Sequence, residues 1–160
     1  MSSATLDTFP SVTTAPDPGR QAVYDNLRDR VARDAPDIAA LALVSTDGLL
    51  MCGYGRPEED MQHIAAACSG LSSLAKGLTG PTGGEGVLHL NITMVKGHIT
   101  VTSCGDGSLL AVVVEAGRPI SPVIREIVRI ARGFAPQMGS EPRATAETGT
   151  ESRAAAETDR

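Results

Sequence analysis

A chain of 160 residues has room for one ordinary domain, so any function rests on a single compact core or on its flexible ends. Hydrophobic residues make up 41% but aromatics only 2%, so the interior is assembled from Ala, Val, Leu and Ile without the aromatic platforms that nucleobase and sugar sites use. The net charge of −5 divides as −1 over residues 1–20, −2 over 21–134 and −2 over 135–160; with no cluster of Lys and Arg to release counterions, it argues against nucleic acid or an anionic membrane as partner.

Residues 1–20 carry Pro10, Pro16 and Pro18 among Ser, Thr and Asp. With no apolar run, they predict a disordered segment, neither signal peptide nor membrane span, on a cytoplasmic protein. From Gln21 to Asp34, Val23, Leu27 and Val31 recur at four-residue steps among charged residues, an amphipathic helix that Pro36 stops. Ile38 to Ser45 and Leu49 to Tyr54 are short and apolar, and Thr46-Asp47-Gly48 between them predicts a hairpin. Pro57 suits a first helical position, and Glu58, Glu59 and Asp60 complement the positive end of a helix dipole. The second helix therefore runs to about Leu78, before Gly80-Pro81. Leu88, Leu90, Ile92 and Met94 alternate with His89, Asn91 and Thr93 in a third strand; Ile99 and Val101 mark a fourth. Leu109 to Val114 is apolar throughout, as in a central strand covered on both faces. Ser121 is placed to cap a last helix with Pro122 at its first position and Val123, Ile124, Ile127, Val128 and Ala131 as its buried stripe. Residues 135–160 lack buried periodicity and predict a low-complexity tail.

The order α-β-β-α-β-β-β-α, with hairpins inside each strand group, predicts an α/β sandwich over residues 21–134. A five-stranded, mainly antiparallel sheet carries the second helix on one face and the other two on the opposite face.

Chemistry is sparsely represented. Cys52, Cys68 and Cys104 sit in apolar or small-residue surroundings without a C-x-x-C pair, and His63, His89 and His98 lack metal-ligand spacing. The run Gly80 to Gly86 follows a helix, leads into a strand and contains no Lys, unlike a phosphate-cradling loop. The expectation is a protein without catalytic residues, metal or cofactor, acting by binding other proteins.

The second helix is the informative element. Met61, Ile64, Cys68, Leu71, Ala75 and Leu78 form a stripe expected to face the sheet, while Ala66, Gly70, Ser73 and Gly77 form a stripe of small residues on the opposite side. A glycine inside a helix costs about 1 kcal/mol relative to alanine, and close approach of a partner helix would justify it. The uncharged outer row of the third strand, with His89, Asn91 and Thr93, suits pairing with a second copy if that strand is an edge. These seven residues are the expected dimer or partner interface.

Three segments in this order carry a family resemblance: Ala42 to Leu50 at the first hairpin, Cys68 to Gly77 in the second helix, and Gly105 to Val113 leading into the last strand. Together they resemble the Roadblock / dynein light chain (Roadblock/LAMTOR) superfamily, in particular the actinobacterial proteins of small-GTPase operons. The resemblance implies a profilin-like fold and a homodimer joined through its third strands with the second helices side by side. It also implies a small Ras-like GTPase as partner, with modulation of its GTPase activity, and association with a sensor-kinase-like membrane protein of the same operon. Arg56, between Gly55 and Pro57, is the nearest thing to an inserted arginine. The alternative reading is a small PAS-like sensory or ligand-binding module.

Overall fold

The computed structural model describes residues 12–13, 18–104 and 107–134. Over these the chain runs as a strand β1 (Val12–Thr13), a helix α1 (Pro18–Asp34), the hairpin β2 (Ile38–Val44) and β3 (Leu50–Tyr54), and a long helix α2 (Glu58–Gly77). A single turn α3 (Thr79–Thr82) follows, then strands β4 (His89–Met94), β5 (Gly97–Ser103) and β6 (Leu109–Glu115), and helix α4 (Ile120–Phe134). All strand pairs are antiparallel and the sheet order is β1-β3-β2-β6-β5-β4.

The five expected strands are thus present in one sheet, with β2 and β6 at its centre. Their apolar runs are buried on both faces, as the unbroken Leu-Ala-Val composition of Leu109 to Val114 requires. The hairpin between β2 and β3 turns at Gly48, whose φ of 85° lies in the left-handed region, and the Ser45 hydroxyl accepts the Leu49 amide at 3.0 Å.

Two cores lie on opposite sides of the sheet. On one side Tyr24, Leu27 and Val31 of α1 and Val123, Ile127, Ile130 and Phe134 of α4 pack on Leu41, Leu43, Cys52, Tyr54, Leu110, Val112 and Val114. An Arg129–Asp34 ion pair at 3.0 Å spans the two helices, and Arg28 lies 5.5 Å above the Tyr54 ring. On the other side α2 packs Met61, Ala65 and Cys68 on Ala40, Ala42, Val44, Val101 and Ala111. The expected division, one helix against two, holds.

Four expectations need correction. The segment over residues 1–20 contributes β1 and the first turn of α1; its remainder, like the tail 135–160, lies outside the described residues. A single helical turn, α3, interrupts the expected loop after Leu78. Helix α4 begins at Ile120, so Ser121 stands inside its first turn and not at its cap, and Pro122 stands where an N–H has no helical partner to lose. The fourth concerns α2. Its buried row is Met61, Ala65, Cys68, Ser72 and Ala75, while Ile64 is half-buried and Leu71 and Leu78 are exposed. The physical reason is close packing of small on small. The sheet beneath offers Ala40, Ala42, Gly53 and Ala111, and a Cβ at Gly53 would come within 3.1 Å of the Met61 side chain. On a helix seated that closely the inner line holds small side chains apart from Met61, which lies over Gly53, and the leucines fall to its flank.

Candidate protein-interaction face

Rotation of α2 turns its large apolar residues outward. Leu71, Leu74 and Leu78 lie roughly a quarter to a third of a turn from the buried row. Leu74 and Leu78 are 73% and 63% exposed, in a protein with few large apolar side chains at its surface. Farther round the helix stand Ala66, Gly70, Ser73 and Gly77, all exposed. A Cβ added at Gly70 or Gly77 would meet nothing within 4 Å, so packing among the described residues gives no reason for a glycine at either position.

The same side of the sheet continues onto β4. Leu90 of β4 and Ile99 of β5 share the half-buried fringe of the α2 core with Ile64 and Val113. Because side chains alternate along a strand, Ile92 and Met94 follow Leu90 on this face. Ile92 is half-buried, Met94 and Leu88 are exposed, and Val95 at the following turn is 97% exposed. β4 is the last strand of the sheet, so among the described residues its backbone pairs only with β5, in the register His89 opposite Thr102 through Met94 opposite Gly97. The geometry is an unpaired strand edge beside an apolar row on the same layer as α2. Exposed apolar surface is a common feature of protein contacts.

The residues singled out from sequence divide between two faces. Ala66, Gly70, Ser73 and Gly77 lie on the outward side of α2. His89, Asn91 and Thr93 alternate with Leu90 and Ile92 and so point to the α1–α4 side. Two of them have partners within the chain: the Asn91 Oδ1 accepts the Thr100 hydroxyl at 2.9 Å, and Thr93 Oγ1 lies 3.2 Å from His98 Nδ1. Sequence reasoning missed Leu71, Leu74, Leu78, Leu88, Met94 and Val95. The signal available for them was the surplus of leucine on α2 beyond one narrow stripe.

The polar groups of the β2–β3 turn are committed to architecture. A cleft of about 680 Å³ beside the β2–β3 hairpin is lined by Arg20, Tyr24, Ser45, Asp47, Gln62 and neighbours. There the Ser45 hydroxyl hydrogen-bonds Asp47, which holds that carboxyl below its usual value, and the same hydroxyl closes the turn to Leu49. The three cysteines are free and buried, and burial pushes the Cys52 thiol up to about 12 and Cys68 up to about 11, opposite to what a nucleophile needs. No helix among the described residues is long and apolar enough to cross a membrane.

The chain is an α/β sandwich with one edge strand open among the described residues and exposed leucines on the helix of one face, and comparison with known proteins names its class. The Roadblock/LC7 domain model matches residues 24–114, more than half of the chain. The chain belongs to the Roadblock/LC7 domain family. The Roadblock/LC7 domain from Streptomyces avermitilis superposes with a TM-score of 0.66 at 24% identity, over 72% of this chain and 98% of that one. MglB from Myxococcus xanthus gives 0.66 at 17% identity, over 79% and 94%. The gliding protein MglB from Thermus thermophilus gives 0.65 at 13% identity, over 81% and 97%. A search of curated proteins by sequence returns no match. Family membership replaces the sensory-module alternative.

Proposed function

We propose that the chain is a non-catalytic homodimeric adaptor that regulates a small Ras-like GTPase in a bacterial signalling system, and that its dimer forms by pairing β4 with its own copy while the two α2 helices pack together. The observations that carry the dimer are a strand edge unpaired among the described residues and the exposed row Leu71, Leu74 and Leu78 on the helix that covers the same side of the sheet as Leu90. A two-fold axis at β4 satisfies both at once, since an isologous contact doubles whatever each copy offers. The open space at Gly70 and Gly77 supports close approach of the second helix. Membership of the Roadblock/LC7 family supports the GTPase as partner, and the raised thiol pKa values and the committed turn polar groups support a role without chemistry of its own. Association with a sensor-kinase-like membrane protein belongs to the same reading.

Light scattering tests the dimer. The wild type is expected at twice the 16.5 kDa chain mass. Leu74→Asp and Gly70→Leu should each run as folded monomers, because both positions are open within one chain. Burying an aspartate at the centre of an apolar contact costs several kcal/mol, at least about a hundredfold in Kd. A monomeric wild type, or a Leu74→Asp variant that stays dimeric, sinks the interface. Pull-downs with Ras-like GTPases loaded with GDP or GTP test the partner; capture that depends on the nucleotide is the expected result, and capture of neither form sinks the regulatory reading.

A further inference from the structure

The sheet ends in two strands that are treated differently. At one margin β4 is open among the described residues. At the other, β3 is covered by β1, antiparallel, with Val12 opposite Gly53 and Thr13 opposite Cys52. Bare, β3 would be a hazard: Leu50-Met-Cys-Gly-Tyr54 contains neither charge nor proline, the usual devices that blunt a strand edge, and β4 lacks them as well. A sheet with two unblunted edges has no natural stopping point. If each edge pairs with its own kind across a two-fold axis, the two contacts alternate and the ladder grows without limit. The covering strand does not pass the hazard outward. It is two residues long, and in sequence it lies between Pro10 and Pro16, neither of which has an N–H to offer a further strand.

We infer that Val12–Thr13 is an edge guard: by occupying β3 it leaves β4 as the sheet's one pairing edge, so that association ends at two copies. Without the guard, the β3 edge takes the β3 edge of a second copy. The inference rests on the reading that β4 pairs with its own copy, and the experiment separates the two.

Three chains are compared by light scattering over a concentration series, with circular dichroism to confirm folding: full length, a chain lacking residues 2–9, and a chain lacking residues 2–15. The first two keep Val12–Thr13 and should hold a dimer mass at every concentration. The third should exceed the dimer at least twofold, with a mass that climbs as concentration rises. A chain lacking 2–15 that keeps the full-length mass overturns the guard. If that chain fails to fold, the full-length double variant Val12→Pro/Thr13→Pro is judged by the same criterion. A monomeric full-length protein overturns the β4 reading instead; a gain of mass on removing 2–15 then still supports the guard, and no gain overturns it.

Discussion

Gly55→Ala is expected to cost about 3–5 kcal/mol of folding free energy, the sum of a left-handed backbone and a steric clash. Gly55 has φ of 90°, and a Cβ there would lie 2.2 Å from the Ala39 carbonyl oxygen and 2.9 Å from the Ala40 Cα, both backbone atoms of β2. Both are main-chain atoms, and Ala40 pairs with Val113 of β6, so relieving the clash means shifting the β2 backbone. The residue stands between the end of β3 and the start of α2, so the strain falls on the junction that sets the angle of the helix across the sheet. Against a typical stability of about 5–15 kcal/mol the loss is a large fraction. Urea unfolding of wild type and variant measures it; a midpoint unchanged within error would show that the junction relaxes freely.

The second large effect is alkaline loss of stability. Burial raises the Cys52 thiol to about 12 and Cys68 to about 11. A thiol whose folded pKa is raised keeps its proton when the unfolded chain has already lost one. Stability is therefore intact below the unfolded thiol pKa of about 8.5 and falls as pH rises from there toward 11 for Cys68 and 12 for Cys52. Each thiol contributes a slope of about 1.4 kcal/mol per pH unit inside its window. Tyr54, raised mainly by burial, adds to the loss at the alkaline end. Unfolding midpoints at neutral pH and at two alkaline values should show the decline, and Cys52→Ala should flatten it. A curve level through pH 10 would mean that the thiols reach water in the folded state.

Most of the architecture is local in its causes and so was legible along the chain. The Asp47-Gly48 turn, the alternation through β4 and the solid apolar run of β6 each state their structure within a few residues. β1 states nothing of the kind: Val12 and Thr13 carry no periodicity among prolines, and only a pairing across some forty residues gives them a strand. The orientation of α2 failed for a different reason. A stripe read as "largest apolar residues inward" assumes room along the whole line, whereas over Gly53, Ala40, Ala42 and Ala111 the one large side chain admitted is Met61. Leu71 and Leu78, assigned to the core, instead join Leu74 in the exposed row. The small stripe was placed on the outward side as expected, whereas the β4 residues His89, Asn91 and Thr93 share only that strand's edge, and not its apolar face, with the proposed interface.

The distribution of aromatic rings carries a practical corollary. The sequence has no tryptophan and two tyrosines, and both Tyr24 and Tyr54 lie in the core beneath α1 and α4. Intrinsic ultraviolet emission therefore reports on one layer of the molecule alone. Peeling α1 from the sheet would change it sharply, whereas a partner seated on α2 and β4 would leave it dark to the event. A single tryptophan at Leu78, exposed and distant from that core, would give the silent face its own optical channel.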